Sequence, residues 1–150
     1  MADAATISVT ATMLPDEIAK TIDGSMTVTP ADANHKWYYK LTSVSNASTD
    51  LMAGYFTDYL AIDDDTLPIQ VAVSDTVAFL FIQNTHATAH VYVNIVAGGT
   101  AAAAAGNIYV QAGETWYGRL TGTLVGSVHA ITSASTVNCI VAALIDDVSV

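Results

Sequence analysis

The chain has 150 residues, 14 of them acidic and 4 basic, for a formal net charge of −10; charged residues make up 12% of it, against about 25% in an average soluble protein. That length suits one domain burying roughly 70% of its unfolded surface, and the negative field excludes direct nucleic-acid binding, which needs Lys and Arg to displace counterions from phosphates. The sequence also lacks the run of about 18 apolar residues that a membrane-spanning helix requires.

In chain order, residues 6–13 (TISVTATM) alternate with period two, Ile7, Val9, Ala11 and Met13 on one face and Thr or Ser on the other, which predicts an N-terminal strand or arm over residues 1–14. Pro15 interrupts it. Behind Pro15 the acidic pair Asp16 and Glu17 is a helix-start signal, so PDEIAKTIDG can hold one helical turn ending at Gly24. SMTVTP and KWYYKLTSV follow as strands separated by the loop ADANH. Residues 46–75 mix aromatic residues with acids around Gly54 and Pro68 and read as a long connection with one short strand near residues 69–73. Connections of that length often carry a binding surface.

Beyond residue 75 the alternation is regular: TVAFLFIQNT is a buried strand, THATAH a turn, VYVNIVAGG a strand, TAAAAAGN a small-residue loop, and IYVQAG, TWYGRLTG, SVHAITSA and TVNCIVAALID are strands. IYVQAGETWYGRL reads as a hairpin whose corner, Gln-Ala-Gly-Glu, needs a positive φ at Gly113. Eight to ten strands at this spacing predict an all-β fold, an antiparallel β-sandwich of jelly-roll type, as a single domain over residues 1–150.

Residues that carry chemistry are sparse. His86 and His90 in HATAH lie across a turn with no Cys or carboxylate at ligand spacing and read as solvated turn residues, while His35 and His129 have no partner that spacing can name. Asp63, Asp64 and Asp65 offer hard oxygen ligands but lack the spaced D-x-D-x-D-G pattern, so a calcium loop and a solvated acidic turn both stay open. There is no G-x-S-x-G, and the Gly-rich AGGTAAAAAGN is not followed by Lys-Ser or Lys-Thr. The single cysteine, Cys139, sits in an apolar strand and is expected to be a core hydrophobe. No cofactor, catalytic residue or metal ligand is assigned.

The remaining features concern surfaces. Thr, Ser, Ala and Asn cover much of the exterior, and such short side chains lose little rotamer entropy when a partner presses on them. Trp37, Tyr38, Tyr39, Tyr55, Phe56 and Tyr59 read as core or interface anchors before sugar platforms. The start MADAATISVT has neither the basic residues nor the apolar stretch of a signal peptide, which leads to the expectation of synthesis in a reducing cytoplasm.

FLFIQNT followed by VYVNI, then IYVQAGETW, VHAITS and VNCIVAALID, within residues 75–147, resembles the small jelly-roll decoration, or cement, proteins on the heads of tailed bacteriophages. The resemblance covers about half the chain and rests on strand order and turn chemistry. It implies a non-enzymatic virion protein on the capsid exterior that clamps neighbouring major capsid subunits, commonly as a trimer, so the expected partners are the major capsid protein and further copies of this chain. Ile7, Val9 and Met13 of the first strand, Trp37, and Tyr55, Phe56 and Tyr59 of the long connection are the candidate contacts, being apolar or aromatic. The alternative expectation is a receptor- or carbohydrate-binding sandwich from a tail fibre or adhesin.

Overall fold

The computed structural model describes residues 4–13, 20–31, 35–52, 54–55, 70–102, 105–134 and 136–146. Its contacts divide the chain into two compact units, Met1–Ala33 and Asn34–Val150.

In the first unit, β1 (Ala5–Met13) pairs antiparallel with β2 (Lys20–Val28) through an unbroken register from Ala5 opposite Val28 to Met13 opposite Lys20. Directly opposed residues of an antiparallel pair share a face. One face therefore carries Ala5, Ile7, Val9 and Ala11 with Val28, Met26, Gly24 and Ile22, and the other only Thr, Ser and Asp23. On the polar side the Thr10 hydroxyl donates to Asp23 Oδ1 at 2.8 Å. The helical turn expected to end at Gly24 is corrected here: residues 20–24 are the first half of a strand, and residues 14–19 lie outside the described residues. The start signal behind Pro15 masked the two-residue alternation Ile22, Gly24, Met26, Val28.

The second unit is an all-β sandwich. Its strands are β3 (Lys36–Ser45), β4 (Thr49–Asp50), β5 (Gly54–Tyr55), β6 (Gln70–Val71), β7 (Thr76–Asn84), β8 (Val91–Asn94), β9 (Ile108–Val110), β10 (Thr115–Leu124), β11 (His129–Thr132) and β12 (Thr136–Asp146). Two antiparallel four-stranded sheets have the orders β10-β7-β12-β3 and β4-β11-β8-β9, and β5 with β6 forms a separate short ladder in the long connection. The pairing is nested: β3 with β12, β4 with β11, β7 with β10 and β8 with β9. A long antiparallel ribbon wound so that successive pairs fall on alternate sheets gives this order, which is the jelly roll.

Alternation along each strand fills the space between the sheets. Val77, Leu80 and Ile82 of β7, Val137, Cys139, Val141, Ala143 and Ile145 of β12, and Val91 and Val93 of β8 are buried in one core, closed by Leu51, Met52, Val125 and Val128 from the connections. Each fully buried aliphatic side chain contributes about 1.5–3 kcal/mol, so this core, more than any polar contact, holds the sheets together.

Two sequence expectations change. The stretch IYVQAGETWYGRL is not a hairpin within one sheet: β9 pairs with β8 and β10 with β7, so the corner carries the chain from one sheet to the other. Gly113 does take the positive φ, 74°, and the Glu114 amide donates to Gln111 O at 3.1 Å to close the turn. The strand expected over VYVNIVAGG stops at Asn94, whose side-chain amide donates to Val96 O and whose Oδ1 accepts from the Val96 amide, replacing ladder bonds with a local turn.

Candidate partner interface

The described residues present two apolar surfaces, one in each unit. In the ribbon, Val9 is 38% and Ile22 48% exposed on the same apolar face, with Ile7, Ala11 and Met26 half-buried beside them. A two-stranded ribbon has no second layer of its own to cover such a face.

The other surface is the outer face of the sheet β10-β7-β12-β3. Register places Tyr117, Phe81, Ala142 and Tyr39 in one row across the four strands, Thr115, Gln83, Ile140 and Leu41 in the next, and Arg119, Phe79, Leu144 and Trp37 in the third. These residues face away from the inter-sheet core. The third row is closed, with Phe79 and Leu144 buried and Trp37 standing edge-on to Phe79 at a centroid distance of 6.2 Å. The first two rows are open, Tyr39 being 54% and Leu41 59% exposed on the outermost strand, β3.

Of the candidate contacts read from the sequence, Ile7 and Val9 share the ribbon face, and Trp37 lies half-buried on the other surface. Met13 ends the β1 register and Tyr55 pairs with Gln70 in the β5–β6 ladder, but the side chains of both lie outside the described residues. Phe56, Tyr59 and the acidic run Asp63, Asp64 and Asp65 lie outside them altogether. Tyr39, read from the sequence as a core or interface anchor, lies on the outer sheet face beside Leu41, and Leu41, Ile22 and Met26 are surface residues that the sequence did not single out. Alternation in KWYYKLTSV, which aligns Trp37, Tyr39 and Leu41, was the signal for the first pair.

The histidines serve local structure. Nδ1 of His86 accepts from the backbone amides of Thr88 and Ala89 at 3.1 and 2.9 Å, and the His90 ring packs against Tyr109, itself tilted on Tyr92. Both are half-buried, which corrects the reading of solvated turn residues: backbone donors and an aromatic neighbour draw the rings onto the protein. His129 sits between Asp50 Oδ1, 3.1 Å from its Nδ1, and Gly126 O, 2.9 Å from its Nε2. His35 pairs with Asp146 at 3.3 Å. Among the described residues no group of three or more His, Cys, Asp or Glu side chains is arranged to hold a metal ion. Cys139 is fully buried, and desolvation pushes its thiol up to about 11.

Among the described residues no helix is long and apolar enough to cross a membrane. No protein-family model matches the chain, and no curated protein and no solved structure matches it.

Proposed function

We propose that this protein is a non-enzymatic virion component that decorates the exterior of a bacteriophage capsid, clamping major capsid subunits and associating with copies of itself, as its resemblance to decoration proteins implies. The observation that carries the reading is the ribbon β1–β2, whose apolar face leaves Val9 and Ile22 open and whose other face is uniformly Thr, Ser and Asp. A face so sharply divided suits lasting contact with another protein surface. Repetition over a shell supplies avidity, so each copy needs only modest affinity.

The test is occupancy on capsids assembled without this chain. Val9→Ser with Ile22→Ser, both at exposed positions, is expected to lower occupancy at least tenfold. Unchanged occupancy overturns the reading.

One observation favours a second reading, a glycan-binding sandwich. Tyr109 is 46% exposed and tilted on Tyr92 at 5.2 Å and on His90 at 5.4 Å, an aromatic surface of the kind on which sugar rings stack. A specific glycan-array signal that disappears in Tyr109→Ala would place this reading first.

A further inference from the structure

His129 opens β11 and meets an oxygen on both sides of its ring. Nδ1 lies 3.1 Å from Asp50 Oδ1 on β4, and Nε2 lies 2.9 Å from the carbonyl oxygen of Gly126 in the short helical turn Val125–Ser127. A carboxylate and a backbone carbonyl only accept, so each contact needs a proton on its ring nitrogen. A neutral imidazole carries one. With that proton on Nε2, the Nδ1 lone pair faces the Asp50 carboxylate; with it on Nδ1, the Nε2 lone pair faces Gly126 O. The imidazolium, with N–H on both nitrogens, satisfies both oxygens.

The surroundings also provide for the neutral ring. Ser48 Oγ stands 3.4 Å from the same Nδ1 and accepts from the Ala101 amide at 3.1 Å, so its hydroxyl proton can go to Nδ1 once that nitrogen is bare. Among the described residues Asp50 is the one charged or titratable group that faces the ring. On the other side of β11, β8 sets Asn94 opposite His129, and the Asn94 side chain is turned to the Val96 backbone.

We infer that His129 is a proton-operated clamp: charged, it fastens β4 and the Val125–Ser127 turn to β11 through Asp50 and Gly126, and neutral, it exchanges Asp50 for Ser48 and loosens β4. The clamp holds the root of the long connection. β4 pairs with β11 through two residues only, Asp50 opposite His129 and Thr49 opposite Ala130, and the chain runs on through the fully buried Leu51 and Met52. Where a ladder is so short, one charge-assisted hydrogen bond is a large share of what keeps the strand in place. The charged ring is present at the acid end of the interval, about pH 5 to 8, in which a histidine changes charge. It is lost as pH rises, so β4 tightens in acid.

The clamp is independent of capsid binding, and the isolated full chain tests it. The reporter is the Leu51 amide, which donates to Val128 O at 3.0 Å beside the β4–β11 pair. After correction for intrinsic exchange, its hydrogen-exchange protection is expected to fall roughly threefold or more between about pH 5.5 and about pH 8, the scale of an exposed ion pair. Protection of Val141 in the middle of β12 should stay constant. Nitrogen-15 shifts of His129 should show N–H on both ring nitrogens at the lower pH and on Nε2 alone at the higher. In Asp50→Asn, at a side chain 48% exposed, the amide can accept from the charged ring or donate to the neutral one, so the pH dependence at Leu51 should disappear with an unchanged circular dichroism spectrum. Equal Leu51 protection at both pH values in the wild type, or a dependence retained in Asp50→Asn, overturns the clamp. So does a ring that keeps a single N–H at the lower pH.

Discussion

The side-chain amide of Asn84 donates to the backbone carbonyl of Gln111 at 3.0 Å, tying the end of β7 to the corner that leads from β9 into β10. The same fully buried side chain donates to Ala89 O at 2.8 Å and accepts from the His86 amide at 3.0 Å, while the backbone amide of Asn84 donates to Glu114 O at 2.9 Å. One residue thus satisfies the backbone of both crossovers at this end of the sandwich. Such crossovers leave the ladders, and their carbonyls, once buried, need another partner.

Replacing Asn84 by Ala removes the side-chain donations to Ala89 O and Gln111 O and leaves buried carbonyls unmatched, a loss of about 2–4 kcal/mol. Asn84→Asp keeps the acceptor for His86 but not the two donations, so it is expected to be destabilising too. Urea denaturation of both variants checks this, with a midpoint at the wild-type value as the contrary result.

Gly106 lies against β8, where a Cβ would meet the backbone N and O of Val93 at 2.9 Å. Backbone atoms inside a ladder cannot step aside cheaply. Gly106→Ala is therefore expected to cost about 1–3 kcal/mol, with amide exchange accelerated in β8 and β9 first. A thermal midpoint equal to that of wild type would count against the close approach.

Gly24 is the opposite case. Its φ lies outside the left-handed region, and a Cβ there meets nothing within 4 Å, although the residue sits on the apolar ribbon face opposite Val9. Glycine inside a strand weakens it by roughly 0.5–1 kcal/mol. Gly24→Val should slow hydrogen exchange in β1 and β2 and raise capsid occupancy, and weaker protection in the ribbon would contradict its assigned register.

Cys139 gives a pH dependence. Burial raises its thiol to about 11, whereas an unfolded chain ionises at about 8.5. Between these values the unfolded state holds fewer protons than the folded one, so the contribution of Cys139 is complete below pH about 8.5 and is lost as pH rises toward about 11. The native protein is expected to resist a thiol reagent at pH 8 and to react fully in denaturant. In Cys139→Ala the stability loss over this alkaline interval should shrink.

Part of the candidate surface was legible in the alternation of TISVTATM, which puts Ile7 and Val9 together, and part was not. Tyr39 and Leu41 share a face with Trp37, but a strand's alternation separates two faces without saying which one meets the core. In β3 the buried set is Tyr38, Thr42 and Val44, so the larger apolar residues face outward, against the expectation from hydropathy.

Local chemistry set the strands themselves. TVNCIVAALID became β12 over its whole length, and TVAFLFIQN became β7, because period-two burial is written in neighbouring residues and needs no distant partner. Gly113 adopted its positive φ for the same reason: the turn is four residues long. Tertiary packing decided partnership. IYV and TWYGRL have the pattern of a hairpin, yet they joined opposite sheets, because pairing β10 with β7 and β9 with β8 buries the apolar side of each against the other layer. A turn reverses the chain over a few residues, whereas the choice of neighbour is made by the whole core.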